Sequence, residues 1–302
     1  MFVVVTVTGS LVTRAARWQV YFLPARRVPF GPLLGTLAIS YMASTFLPLR
    51  AGELVRAVFL GQRERIPVPR VVGTILLEKL FDFLAIGVML GLLVALTRES
   101  LPPTAVAAGS LIATVILLGF GFVVGLAIWR GPTLRLVRAV EERVPFGLGH
   151  RLGLERAAAH FAEGTDSLSV PRLWVPLLGW TFVTWLFSIG SVWAGVSALG
   201  LQPPFAALVF VTVATSATQA VPSSPGYVGV YHAAASEALK AFGVDPPTAL
   251  AVAVITHAFS YGTLVIAGLV ALWTGGCTFA DVLSGLSTRR STVADRELVT
   301  TP

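Results

Sequence analysis

Four stretches of this chain, 71–96, 105–129, 173–199 and 248–273, are apolar over more than twenty residues each. A helix needs roughly 20 such residues to cross the hydrocarbon core of a bilayer. At that depth every backbone N–H and C=O must be bonded within the protein, which leaves helices or a closed barrel. Unbroken apolar runs of this length fit helices, so the expected fold class is an all-α polytopic membrane protein. Charge agrees with this. Of the 302 residues 12% are charged, about half the roughly 25% usual in soluble domains, and the mean hydropathy is +0.80. The net charge of +7 comes from arginine, with Lys79 and Lys240 the two lysines. In a soluble chain that balance would suggest nucleic acid. Here the arginines fall in short loops between apolar runs, where they orient a membrane protein, and no nucleic-acid partner is expected. The single cysteine, Cys277, excludes an internal disulfide and a cysteine-based metal cluster. The opening MFVVVTVTGSLVT has no basic segment before it and runs into Arg14 and Arg17 rather than a small-residue cleavage site, so no cleavable signal is expected there.

The remaining apolar regions are weaker. Segment 2–23 carries Arg14 and Arg17 in its second half, expected to snorkel toward an interface. Segments 33–47 and 205–221 are short for a span. Each ends at a proline and is followed by a second short helical piece, 53–62 and 228–242. The connection 130–172 holds seven arginines and 61–70 holds Arg63, Arg65 and Arg70, which places both in the cytoplasm. The expected organisation is one transmembrane domain, 1–283. It comprises a first half of about 1–129, the cytoplasmic connection 130–172 and a second half 173–283. A disordered cytoplasmic tail follows, 284–302. The expected location is the inner (plasma) membrane, multi-pass, with the C-terminus inside.

The two interrupted regions correspond. FLPLRAGELV and AVPSSPGYVG both place a glycine four residues after a proline, Pro48 to Gly52 and Pro222 to Gly226, the second with Pro225 between. The loop charges make the first hairpin enter from the cytoplasm and the second from outside. Matched breaks in two halves of opposite orientation are the sequence sign of an inverted-repeat transporter site. Two unrelated proline-kinked regions would look alike, since Pro and Gly are frequent in membrane helices. The first reading predicts two Pro/Gly-broken re-entrant hairpins whose freed helix N-termini, near Glu53 and near Val228 after Ser223, Ser224 and Gly226, suit an anionic headgroup.

Ionisable side chains at bilayer depth count as functional candidates. Arg50, Glu53 and Arg56 are spaced three apart, so Glu53 and Arg56 share a helix face. They form either an interfacial ion-pair network or a phosphate clamp, with Glu53 holding both arginines between substrates. Glu78, Lys79 and Asp82 form either a self-paired structural cluster or one wall of an interior groove. His232, Glu237 and His257 are packing residues or members of a proton relay. Tyr227 faces a headgroup or marks the interface, as does Tyr231. Gly87-x-x-x-Gly91 and Gly121-x-x-x-Gly125 are expected to let helices pack closely. No H-E-x-x-H, G-x-S-x-G, P-loop or G-x-G-x-x-G motif occurs, and no cofactor or metal is expected.

In order along the chain, RAARW (14–18), LPLRAGELVR (47–56), LLEKLFD (76–82), VPSSPGYVGVYHAA (221–234) and FGV (242–244) resemble the lysylphosphatidylglycerol synthase transmembrane-region family, the flippase-like domain of the multiple peptide resistance factor. The family pattern P-x-R-x-G-E followed by R falls on Pro48, Arg50, Gly52, Glu53 and Arg56. E-R-x-x-D falls on Glu78, Lys79 and Asp82, with lysine for the usual arginine. P-x-x-P-G-x-x-G falls on Pro222, Pro225, Gly226 and Gly229. His232 stands where an acidic residue is common. In the family another helix usually precedes the R-x-x-R-W region, so a segment upstream of this chain is expected. The soluble aminoacyltransferase domain is not in this sequence.

The resemblance therefore implies translocation of a lipid rather than lysyl transfer. The substrate expected is an anionic, aminoacylated or polyprenyl-linked lipid moved between leaflets. An intramembrane lipid- or glycosyl-transfer enzyme using Glu53, Asp82 and His257 stays open. So does a non-catalytic subunit that docks a lipid-synthesis or glycosyltransferase partner through 130–172.

Overall fold

A computed structural model of the protein describes residues 1–23, 25–47, 51–99, 103–129, 154–218 and 224–280. Ten α-helices account for most of them, and no strand occurs among the described residues. They are α1 (Phe2–Tyr21), α2 (Phe30–Phe46), α3 (Ala51–Glu64), α4 (Val68–Thr97), α5 (Pro103–Ile128), α6 (Leu154–Glu163), α7 (Trp174–Ser197), α8 (Phe205–Thr218), α9 (Val230–Lys240) and α10 (Pro246–Gly275). Short 3₁₀ turns cover Asp166–Ser169, Pro171–Leu173 and Pro225–Tyr227. Pro48, Arg50, Pro222 and Ser223, most of the connection 130–172 and the tail 284–302 lie outside the described residues.

The long helices begin and end where the local chemistry dictates. Helix α4 starts after Pro67, with Pro69 in its first turn, where a missing N–H costs nothing. Helix α10 is capped by Asp245, whose carboxylate accepts from Thr248 N–H at 3.1 Å, and closes at Gly276 in the left-handed conformation (φ 63°). Four helical stretches, Val68–Thr97, Val106–Gly125, Pro171–Ser197 and Pro246–Gly275, are long and apolar enough to cross a bilayer. Their outer faces carry large exposed apolar side chains such as Leu118, Phe122, Val175, Phe182 and Ile266. In water such a surface would be an aggregation hazard; here it faces acyl chains.

Helices pack through small and hydroxyl residues, as expected where lipid removes the hydrophobic drive. Helices α1 and α7 run antiparallel, with Ser191 Oγ donating to Thr6 Oγ1 (2.8 Å) and Thr184 Oγ1 to Thr13 Oγ1 (3.0 Å). Helix α10 crosses α2 at Gly268, against Ala38 and Met42. Of the two G-x-x-x-G pairs only Gly87 makes a helix contact, against Ile116 and Leu117 of α5. A side chain at Gly91, Gly121 or Gly125 would meet nothing. The close-packing expectation therefore fails there, because α5 keeps that face toward lipid.

Helices α2 and α3 fold back on each other. Gly52 lies so close to α2 that a Cβ would strike Ser40 O and Ser44, and Ser40 Oγ donates to Gly52 O at 2.8 Å. At their far ends Arg26 Nη1 donates to Glu64 O at 2.7 Å. Helices α8 and α9 also pack on each other, and the Phe210 and Phe242 rings at their outer ends lie 6.0 Å apart. The inner ends of the two pairs meet: at Gly226 a Cβ would sit 3.3 Å from Thr45 O at the end of α2.

Candidate functional site

A cavity of about 600 Å³ lies where these inner ends converge, walled by α1–α5 and α7–α10. Its charged wall comes from α1, α3 and α4. Glu78 and Asp82 sit near the middle of the 30-residue α4, so their charges are held at mid-span. Asp82 receives two guanidiniums: Arg14 Nη1 at 3.2 Å on Oδ2 and Arg17 Nη2 at 2.8 Å on Oδ1. Arg17 also donates to Thr181 Oγ1 at 3.2 Å and is fully buried. Arg56 Nη2 lies 2.7 Å from Glu78 Oε2, and its guanidinium carbon stands 3.6 Å from the centroid of Trp18. Lys79 Nζ meets Glu53 Oε1 at 2.9 Å.

Burial separates these contacts into two kinds. The Arg56 and Glu78 side chains are 3% and 1% exposed, whereas Lys79 and Glu53 are 29% and 32% exposed. The first pair is locked by burial and by the Trp18 face. The second meets the cavity and can exchange partners at little cost, as half-exposed pairs do. Four basic groups face three acidic ones within this described cluster, and the surplus falls where one carboxylate serves both Arg14 and Arg17. Arg14 and Lys79 both line the cavity.

The facing wall is aromatic. Tyr41, Tyr227, Tyr231 and Tyr261 line it, and behind them His257 Nε2 lies 2.8 Å from Gly226 O. His257 Nδ1 lies 3.0 Å from His232 Nε2. A third wall is apolar, formed by Phe83, Ile86 and Leu90 of α4 with Ile112 and Ile116 of α5. Phe83 and Ile112 are also exposed, at 47% and 53%. The cavity thus offers charge, aromatic faces and hydrocarbon to one occupant.

The candidates from sequence are distributed as follows. Glu53, Arg56, Glu78, Lys79, Asp82 and Tyr227 line the cavity together. Gly226 and His257 are buried just behind it. His232 reaches it only through His257. Ser224, Pro225 and Gly229 are exposed; Ser224 Oγ donates to Val228 O at 2.6 Å, which closes the turn before α9. Glu237 is not with the histidines; it pairs with Lys240 on the outer face of α9 at 2.5 Å.

Two pairings differ from expectation. Arg56 is held by Glu78 rather than Glu53, because the one-turn spacing on α3 is overridden by a carboxylate presented from α4. Arg14 and Arg17 do not snorkel: Asp82 gives them a buried partner, which costs less than dragging α1 to an interface. These arginines and Tyr41 are functional candidates that the sequence reasoning passed over. The available signal was two arginines three apart in an apolar helix, and so on one face of it.

Fold and cavity together define a multi-pass α-helical membrane protein with an ionised internal cavity. The chain belongs to the family of the lysylphosphatidylglycerol synthase TM region, whose model matches residues 1–268. It is similar to the glycosyltransferase AglD of Haloferax volcanii, 26% identical over 266 residues, covering 79% of this chain and 42% of that protein. It is also similar to the UPF0104 membrane protein MJ1078 of Methanocaldococcus jannaschii, 24% identical over 233 residues, 75% of this chain and 91% of that one. The chain thus spans less than half the length of the first relative and most of the second. No solved structure matches it.

Proposed function

We propose that this protein moves a lipid with an anionic headgroup between membrane leaflets. The observation that carries the reading is the three-walled cavity at mid-span, with Arg14 and Lys79 facing an apolar wall on α4 and α5. In this mechanism the phosphate displaces Glu53 from Lys79 and is shared with Arg14. Arg56, held by Glu78 and Trp18, keeps the wall rigid, and the acyl or polyprenyl chains run along Phe83, Ile86 and Ile112. The α2–α3 and α8–α9 pairs act as two re-entrant hairpins of an inverted repeat. Alternating access then opens one hairpin at a time around a stationary site. The excess of arginine at the end bearing Arg26, Arg27, Arg63, Arg65, Arg70 and Arg172 over the end bearing Arg98 supports a cytoplasmic assignment of the former, and with it a cytoplasmic C-terminus.

The similarity to part of a larger glycosyltransferase favours a second reading. The same cavity would then present a lipid-linked sugar donor to a partner enzyme instead of releasing it. Mass spectrometry of lipids that co-purify with the protein tests the shared premise. Anionic lipids should be enriched with the wild type and lost with Lys79→Ala or Arg14→Ala. Equal anionic lipid on all three proteins would refute the assignment of the headgroup to this wall.

A further inference from the structure

The two histidines form a directed chain of hydrogen bonds. A carbonyl oxygen only accepts, so the 2.8 Å contact with Gly226 O places a proton on His257 Nε2. In the uncharged ring Nδ1 is then an acceptor, and His232 Nε2 donates to it across 3.0 Å. The basic nitrogen left to the pair is His232 Nδ1. A proton taken there preserves both hydrogen bonds and makes them charge-assisted. A second proton would fall on His257 Nδ1 and set two N–H groups against each other at the same 3.0 Å.

We propose that His232 and His257 form a binding site for a single proton, anchored through the Gly226 carbonyl to the second helix break. The surroundings suit one added positive charge. The Tyr231 ring stands across His232 at 6.2 Å and 89° and stacks on His257 at 4.7 Å and 24°, with the Tyr261 centroid 4.2 Å from His257, so aromatic rings enclose the pair on which the charge is shared. Among the described residues, the titratable groups around the pair are Tyr231 on α9, Tyr261 on α10, Tyr227 before α9 and Tyr41 on α2. Helix α7, which packs on α10 at Gly195 and Thr256, brings none. The charged groups of α9, Glu237 and Lys240, are paired with each other further along the helix. The tyrosines stand between the pair and the cavity, so charge on the pair is felt where a headgroup would lie. In a chain without a nucleotide-binding motif, such a site gives a proton gradient a point of entry.

Solid-state NMR of isotope-labelled imidazole nitrogens, on the full chain in lipid with His150→Gln and His160→Gln, reads the pair alone. Between about pH 5 and pH 8 the two rings should take up one proton with a common midpoint, and His257 should keep its proton on Nε2 throughout. Uptake of two protons, or of none, would overturn the site. His232→Ala removes the donor to His257 Nδ1, and the His257 Nδ1 resonance should move to the position of an imidazole nitrogen that has lost this hydrogen bond. An unchanged Nδ1 resonance would overturn it equally. Neither outcome depends on lipid movement, so the site and the transport reading fail separately.

Discussion

Asp82 receives Arg14 and Arg17, and Glu78 receives Arg56, all within the hydrophobic middle of the bundle. Buried ion pairs of this kind add little net stability, but removing one partner strands a charge at a cost of about 3–5 kcal/mol. Glu78→Gln should therefore lower the thermal midpoint of the purified protein in detergent markedly. The double change Arg56→Met with Glu78→Met should restore much of it while leaving the lipid site damaged. A Glu78→Gln protein that melts like the wild type would show that the pair is not the lock described here. Arg56, Glu78 and Asp82 were legible in the sequence, because a carboxylate or guanidinium at bilayer depth needs a reason to be there, whereas Arg14 and Arg17 read as snorkelling residues. The partners were not legible. Spacing along α3 pointed Arg56 at Glu53, and only the packing of α3 on α4 and of α1 on α4 reassigns the contacts.

The four short helices, α2, α3, α8 and α9, lie within a few residues of where the sequence put them. The contact of Thr45 with Gly226 was invisible, since it depends on how segments far apart in the chain pack. Gly226 adopts φ 63° and is buried against Thr45 O. Gly226→Ala puts a Cβ into the left-handed region, at a cost of about 1–2 kcal/mol. It also pushes on α2. The expected result is a protein that folds and inserts but melts several degrees lower, with His257 resonances displaced because the strained backbone shifts the carbonyl to which His257 is bonded. Unshifted His257 signals in Gly226→Ala would contradict the contact.

At the scale of the molecule, the four long apolar helices were readable from length alone, and the arginine-rich end from loop composition. The cavity was not, because its walls come from nine helices and no single segment carries its shape. The proposed orientation is open to direct measurement. In a Cys277→Ser background, Arg65→Cys and Arg26→Cys should be shielded from a membrane-impermeant thiol reagent added to intact cells, whereas Arg98→Cys and Lys240→Cys should react. Labelling of Arg26→Cys and Arg65→Cys on opposite sides would turn α2–α3 into a crossing and remove the first re-entrant hairpin.

The central claim is that the cavity carries anionic headgroups across the bilayer, and reconstituted liposomes test it most directly. Fluorescent phosphatidylglycerol and phosphatidylcholine would be placed in both leaflets, and the accessible fraction followed with a membrane-impermeant quencher. With the wild type the phosphatidylglycerol signal should become fully accessible, faster than phosphatidylcholine, and Lys79→Ala should slow it about tenfold, the loss of one charge-assisted contact. Equal rates for both lipids, or an unimpaired Lys79→Ala protein, would contradict the account.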